Sequence, residues 1–247
     1  MAQARSNWWT QPAFTSPSRV GVPYYDWETA IRHMNWHPGE HVTLIGPTGR
    51  GKTEVEIQLM LERNWTVFLS TKRKDATQQE LVRRRYRIIR DPLELNPEVD
   101  SHFLFRPPFP DTSAQELKAL HRSVYSRMLM RLRNQMGWTI GADEVHYLSH
   151  FLGLNDELEL LWLQGRSEAT TMIANTQRPR HIPLVAYSQA THLFFWSSPD
   201  LSDVRRIGEM TPLPIKEIIA ILESQEEHDV LYCNTRSSEL FITNTRW

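Results

Sequence analysis

Gly46-Pro47-Thr48-Gly49-Arg50-Gly51-Lys52-Thr53 satisfies every fixed position of G-x-x-x-x-G-K-[ST]. The residue types suit one task, holding the phosphates of a nucleoside triphosphate. Glycines let backbone N–H groups close around phosphate oxygens without Cβ clashes. A helix starting at the lysine turns its positive end toward the anion. Lys52 reaches the β- and γ-phosphates, and Thr53 offers a hydroxyl to Mg²⁺. A second chemical string is Asp143-Glu144, at the end of the apolar run Trp138–Ala142. Two adjacent carboxylates at a strand end repel unless a cation is near, and a metal–phosphate site supplies one. Asp143 is then the Mg²⁺ residue, and Glu144 orients and polarises the attacking water. A third string, Asn175-Thr176-Gln177, ends another apolar run, where the Gln177 amide can contact the γ-phosphate or the water.

These groups need elements to carry them. "HVTLIG" reads as a buried strand directly before the loop and "KTEVEIQLMLERN" as a helix directly after it. "WTVFLST", "GWTIGADE", "TTMIANTQ" and "THLFFWSS" read as further strands. "YYDWETAIRHM", Ala114–Asn134, "NDELELLWLQGRSEA", "SDVRRIGEM" and "PIKEIIAILESQ" read as helices. In the long helix Leu117, Leu120, Val124, Met128 and Leu132 keep one apolar face. Asp111, Thr112 and Ser113 are all candidate caps for it. The region Lys72–Arg90 is basic and partly helical, and "RPPFPDTS" is a Pro-rich excursion. "DVLYCNTRSSELFITNT" predicts a hairpin turning at Arg236-Ser237-Ser238. Alternation of strands and helices predicts an α/β fold with a mainly parallel central sheet flanked by helices. Residues 1–24 show no helical or strand period and read as an N-terminal arm carrying Trp8 and Trp9; one domain covers 25–247.

Bulk properties fit a globular chain and exclude several classes. Hydrophobic residues make up 40% of 247, enough for a substantial core. A formal net charge of -1 gives no global attraction to polyanions, so a nucleic-acid surface must be local. One cysteine, Cys233, excludes an internal disulfide and a cysteine zinc cluster. No signal peptide or long apolar span is expected, which points to the cytoplasm, or to the host cytoplasm if the chain is viral. His146 and His150 stand at i, i+4, but no third zinc ligand accompanies them and a polar helix face is the simpler reading. A GTPase base-reading string is missing: in Thr71-Lys72-Arg73-Lys74-Asp75 the aspartate falls one place too late and after the wrong strand.

"IGPTGRGKT", "WTIGADE", "LLWLQGRSEATTMIANTQRPRHIP" and "ATHLFFW" together resemble the FtsK–HerA superfamily of RecA-like, DNA-translocating ATPases over roughly residues 40–212. "TQRP" is the most telling piece, and "GRSEATTMIANTQRPRHIP" also resembles small viral genome-packaging ATPases and FtsK/SpoIIIE-like proteins of actinobacteria and their phages or mobile elements. The resemblance implies a RecA-like fold of the additional-strand catalytic-glutamate type, with ATP and Mg²⁺ as cofactors. It implies phosphate and metal roles for Lys52, Thr53 and Asp143, hydrolysis at Glu144, and a sensor at Gln177. It also implies an arginine reaching a neighbour's nucleotide: Arg166 first, Arg178 second. The chain departs from the segregation motors of that group in showing no membrane anchor and no winged-helix DNA reader, so a compact packaging-type motor is expected.

The expected activity is therefore ATP hydrolysis driving double-stranded DNA through a homo-oligomeric ring, a pentamer or hexamer. Candidate DNA contacts are Lys72-Arg73-Lys74, Arg83-Arg84-Arg85 with Arg87 and Arg90, and Arg122, Arg127, Arg131 and Arg133, giving salt-dependent, sequence-independent affinity. A nucleotide or nucleoside kinase with Arg83–Arg90 as its lid, or an NTP-dependent assembly switch, is the alternative. Glu144 argues against a structural subunit that binds nucleotide without turnover.

Overall fold

The computed structural model describes residues 16–19, 21–177, 183–198, 200–211 and 213–246. Among them eleven strands form one sheet: β1 (Ser16–Arg19), β2 (Val22–Tyr25), β3 (His41–Ile45), β4 (Thr66–Leu69), β5 (Arg87–Ile89), β6 (His102–Phe105), β7 (Thr139–Ala142), β8 (Thr171–Thr176), β9 (Ala190–Phe195), β10 (Asp229–Asn234) and β11 (Leu240–Asn244). The helices are α1 (Trp27–Met34), α2 (Lys52–Leu61), α3 (Ala76–Arg83), α4 (Ala114–Gln135), α5 (Asn155–Gln164), α6 (Leu184–Ser188), α7 (Leu201–Met210) and α8 (Ile215–Ser224).

The spatial order is β1-β2-β11-β10-β9-β3-β8-β7-β4-β6-β5. From β9 to β5 every neighbour is parallel. Parallel strands need helical crossovers, which cover both faces, so these strands are continuous apolar runs rather than alternating ones. β3, β4, β7, β8 and β9 are buried at every residue. Alternate side chains still divide between two cores. Ile45, Val67, Ile140 and Met172 pack with α4 and α5 on one face. Val42, Leu44, Phe68 and Ile173 pack with α1 and α2 on the other. In α4, Val124, Met128 and Leu132 are buried, while Leu117 and Leu120 lie at the margin of that face. Ser113 is its cap, closing a capping box with Glu116.

The mainly parallel sheet, its flanking helices and the C-terminal hairpin are as predicted, with β10 and β11 paired from Asp229↔Asn244 to Cys233↔Leu240. Four strands were not predicted. β5 and β6 lengthen the sheet beyond β4. β5 is three residues long with Arg87 exposed, so its charges hid a strand edge inside what read as a basic, partly helical stretch. Charge on an edge strand deters pairing with foreign strands. β1 and most of β2 lie in the stretch read as an arm, Tyr25 falling in the string read as the following helix, and β2 pairs in parallel with β11 through Ile242↔Tyr24 and Thr243↔Tyr25. Trp8 and Trp9 lie outside the described residues. Among the described residues no helix is long and apolar enough to cross a membrane.

Candidate nucleotide-binding cleft

The C-terminal ends of β3, β4, β7 and β8 open onto one cleft of about 1010 Å³. Ends of parallel strands are where an open α/β sheet leaves room for a ligand. The loop after β3 supplies Thr48, Gly49, Gly51, Lys52 and Thr53 to its lining. The loop is held from both sides. Gly46 N–H donates to Thr176 on β8 at 3.3 Å, and Trp196 N–H donates to Ile45 at 2.9 Å. A Cβ on Gly46 would lie 2.6 Å from that of Trp196, so only glycine permits the approach. Gly51 has φ +95°, open to glycine at little cost, and forms the N-terminal boundary of α2. No side chain caps this helix start. Its first N–H groups are thus free for an anion.

Lys52 is almost wholly buried, and its Nζ donates to the Pro47 carbonyl at 2.8 Å, folding across the loop. Burial lowers its pKa to about 8, against the pull of Glu144, Glu56 and Asp143. Asp143 and Glu144 leave the end of β7 into the same cleft. Burial raises both carboxylates above their ordinary range, and each gains from the charge of nearby lysine. Asn175 and Gln177, at and beyond the end of β8, line the cleft between the loop after β3 and the acids after β7, Asn175 buried and Gln177 exposed. β8 lies between β3 and β7, the insertion that the additional-strand class requires. A phosphate loop, two carboxylates and an amide thus converge in one place.

Thr53 and Asp143 present hydroxyl and carboxylate oxygens, a hard donor set suited to Mg²⁺ shared with phosphate oxygens. A cation already balances Asp143: Lys72 Nζ stands 2.9 Å from Oδ2 and 3.2 Å from Oδ1, and 3.4 Å from Asp75 Oδ2. Lys72, grouped in sequence with Arg73 and Lys74, therefore belongs to this cleft. Among the described residues no cluster of three or more His, Cys, Asp or Glu with metal-site geometry occurs. His146 and His150 stack at 4.9 Å between ring centres.

Arg166 lies elsewhere. It is exposed in the turn between α5 and the start of β8, beside Gly39, at the end of the sheet opposite the cleft. Arg178 lies outside the described residues. Arg83 and Arg84 are engaged by Glu80 at 3.1 Å and 2.8 Å, and no residue of Arg83–Arg87 lines the cleft.

Sequence reading missed several contributors. Glu56, one turn beyond Lys52 on α2, is fully buried and accepts from Asn175 Nδ2 at 3.2 Å. Burial, then repulsion by Asp143, raises its pKa to about 8, so it is protonated at neutral pH. Its signal was an acid on an otherwise apolar helix face. His228, Thr245 and Arg246 come from the hairpin and close the far side of the cleft. Thr245 Oγ1 lies 3.2 Å from the His228 carbonyl and 3.4 Å from that of Arg50, and Arg50 Nη1 donates to Glu227 at 3.1 Å. Nothing local in "TNTRW" announces that role.

No protein-family model matches the chain, and no curated protein matches it in sequence. Solved structures do. The genome packaging NTPase B204 of Sulfolobus turreted icosahedral virus 2, in complex with sulfate, aligns with a TM-score of 0.63 at 12% identity, over 86% of this chain and 99% of that one. VirB4 of Thermoanaerobacter pseudethanolicus aligns at 0.64 and 8% identity, over 84% and 89%. The cytoplasmic domain of the type VII secretion ATPase EccC of Thermomonospora curvata aligns at 0.52 and 14% identity, over 84% of this chain and 25% of that one. The chain shares its fold with these proteins, a mainly parallel α/β sheet flanked by helices, as the sequence resemblance implied.

Proposed function

We propose that the protein is an ATP-hydrolysing motor that moves double-stranded DNA, working in the cytoplasm as a ring of identical subunits. One observation carries this reading: the phosphate loop, Asp143, Glu144 and Gln177 face one another across a single cleft, with β8 inserted between the strands that bear the loop and the acids. A passive nucleotide site has no use for a second carboxylate beside the first. A kinase lid finds no support, since no residue of Arg83–Arg90 lines the cleft and Glu80 engages Arg83 and Arg84.

Each residue then has a task. The N–H groups of Gly49–Thr53 surround the β-phosphate at the start of α2. Lys52 leaves the Pro47 carbonyl for the γ-phosphate. Thr53 and Asp143 would hold Mg²⁺, which would supply charge neutralisation to the phosphates. Lys72, now paired with Asp143, would have to release it for the cation to bind. Glu144 accepts a proton from the attacking water, and Gln177 reads whether the γ-phosphate is still attached. Arg166 is exposed and lies outside its own cleft, which supports a role on another subunit's nucleotide. Such an arginine can contribute about 10³–10⁵ in rate.

The test is ATP turnover of the full chain with and without duplex DNA, across protein concentration, alongside solution mass. The motor reading expects turnover to rise with both, and a mass of five or six chains. Turnover indifferent to DNA and to concentration would overturn it.

A further inference from the structure

A second cleft, of about 700 Å³, opens on the same edge of the sheet, beyond β4. Arg73 and Lys74 enter it from the loop after β4, Arg90 from the end of β5, and Arg106 from the end of β6. The backbone register fixes two of these side by side: Ile89 pairs with Phe105, and Arg106 N–H continues the ladder to the Ile89 carbonyl at 2.9 Å. The lining holds four cations and no carboxylate.

Several arginines of the other basic patches have partners. Arg83 and Arg84 bind Glu80, Arg127 lies 3.7 Å from Asp91, Arg131 donates to the Leu95 carbonyl, and Arg133 binds Gln164. Among the described residues no ion pair or side-chain hydrogen bond engages Arg73, Lys74, Arg90 or Arg106. Four unneutralised cations around one hollow reinforce each other's field and draw an extended anion. Three of them are guanidinium groups, whose flat fork matches phosphate oxygens. Phe109 in the same wall offers a flat apolar surface for a sugar or base. A single small phosphate would leave most of these cations unused.

The cleft is also tied to the nucleotide site. Thr71 and Lys72 line the nucleotide cleft while the next two residues line this one. From the other side His121 joins the Tyr147 hydroxyl, in the nucleotide cleft, to the Pro108 carbonyl in this one, at 2.8 Å and 3.0 Å.

We infer that this second cleft holds the phosphodiester backbone of nucleic acid, through Arg73, Lys74, Arg90 and Arg106 rather than through the Arg83–Arg85 run. The inference rests on the DNA-motor reading and deepens it. The experiment is fluorescence anisotropy of a labelled duplex of roughly 30 base pairs with the full chain at about 50 and about 200 mM salt. R90A/R106A is expected to weaken binding about tenfold or more at the lower salt and to shrink the log–log salt slope by about 0.9 for each phosphate the variant no longer neutralises. The same variant keeps wild-type affinity for a fluorescent ATP analogue, which shows that it is folded. R83A/R84A/R85A binds duplex within about twofold of wild type, because two of its arginines are already engaged by Glu80. Duplex affinity unchanged in R90A/R106A, or weakened equally in the control, would overturn the assignment. So would polyglutamate competing as well as unlabelled duplex at equal charge, which would mark an acidic protein partner. A wild-type chain that binds no duplex at either salt would remove the motor reading as well, a result distinct from failure of this cleft alone.

Discussion

Replacing Gly51 by alanine tests whether the C-terminal hairpin shapes the phosphate loop. Gly51 has φ +95°, and a Cβ placed there would lie 2.3 Å from Thr245 Oγ1 and 3.0 Å from Thr245 Cβ. Ordinary carbon contacts are about 3.5–4.0 Å, so one partner must move. Left-handed backbone costs a non-glycine residue about 1–2 kcal/mol. Overpacking adds about 1–3 kcal/mol. The sum, about 2–5 kcal/mol, appears as lost stability if the loop stays in place and as lost affinity if it moves; in the second case it is about 30- to 4000-fold in Kd. Titration with a fluorescent ATP analogue and urea unfolding measure the two outcomes. Thr245→Gly removes both contacting atoms but leaves the backbone strain. Gly51→Ala/Thr245→Gly should therefore lose about 1–3 kcal/mol less than the sum of the two single losses, and the double-mutant cycle isolates that term. A cycle energy near zero would show that the hairpin does not press on the loop.

Other consequences follow from the same site. Glu144→Gln should keep ATP bound while slowing hydrolysis by about 10²–10⁴, read from single-turnover rates; an unaffected rate removes Glu144 from the chemistry. The pKa of Lys52 is lowered to about 8, so the free protein loses this charge as pH rises through that value, and nucleotide affinity should fall above it, by up to about tenfold per pH unit. Lys52→Met should bind weakly and show no such step. Glu56 has its pKa raised to about 8 from 4.5, so the native state holds a proton that the unfolded state releases between those values. Its contribution to stability is lost as pH rises across that window, at up to about 1.4 kcal/mol per unit. Glu56→Gln does not titrate, and should gain on wild type in urea unfolding from about pH 5 to about pH 8. Mixing Arg166→Ala subunits with Lys52→Ala subunits should restore part of the turnover, because an intact arginine then meets an intact phosphate loop across an interface.

Much of the candidate nucleotide cleft was legible without coordinates because its chemistry is local. Eight consecutive residues carry the phosphate loop, and a strand before it with a helix after it suffice to aim its N–H groups. Asp143 and Glu144 were readable from their place at the end of an apolar run, and Gln177 from the same logic one strand later. The two-sided burial of the parallel strands was readable too, as unbroken runs of apolar residues. Lateral order was not. Periodicity reports which faces of a strand are buried, not which strand lies beside it. The resemblance implied an additional strand beside the phosphate-loop strand, but only the folded sheet identified it as β8 between β3 and β7 and added β5 and β6 beyond β4.

The contacts that finish the site join residues far apart in the chain. Lys72 reaches Asp143 across 71 positions, and Thr245 reaches the Arg50 carbonyl across 195. Such pairs exist because β4 pairs with β7 and because the hairpin folds back, antiparallel, onto β9. The four cations of the second cleft likewise come from three strand ends that only the register aligns. The sequence by itself determined which groups can hold a triphosphate, since that follows from local backbone freedom and side-chain type. Tertiary structure alone decided which charges stand together and which stay unpaired, since Coulomb energy depends on distance through space and not along the chain.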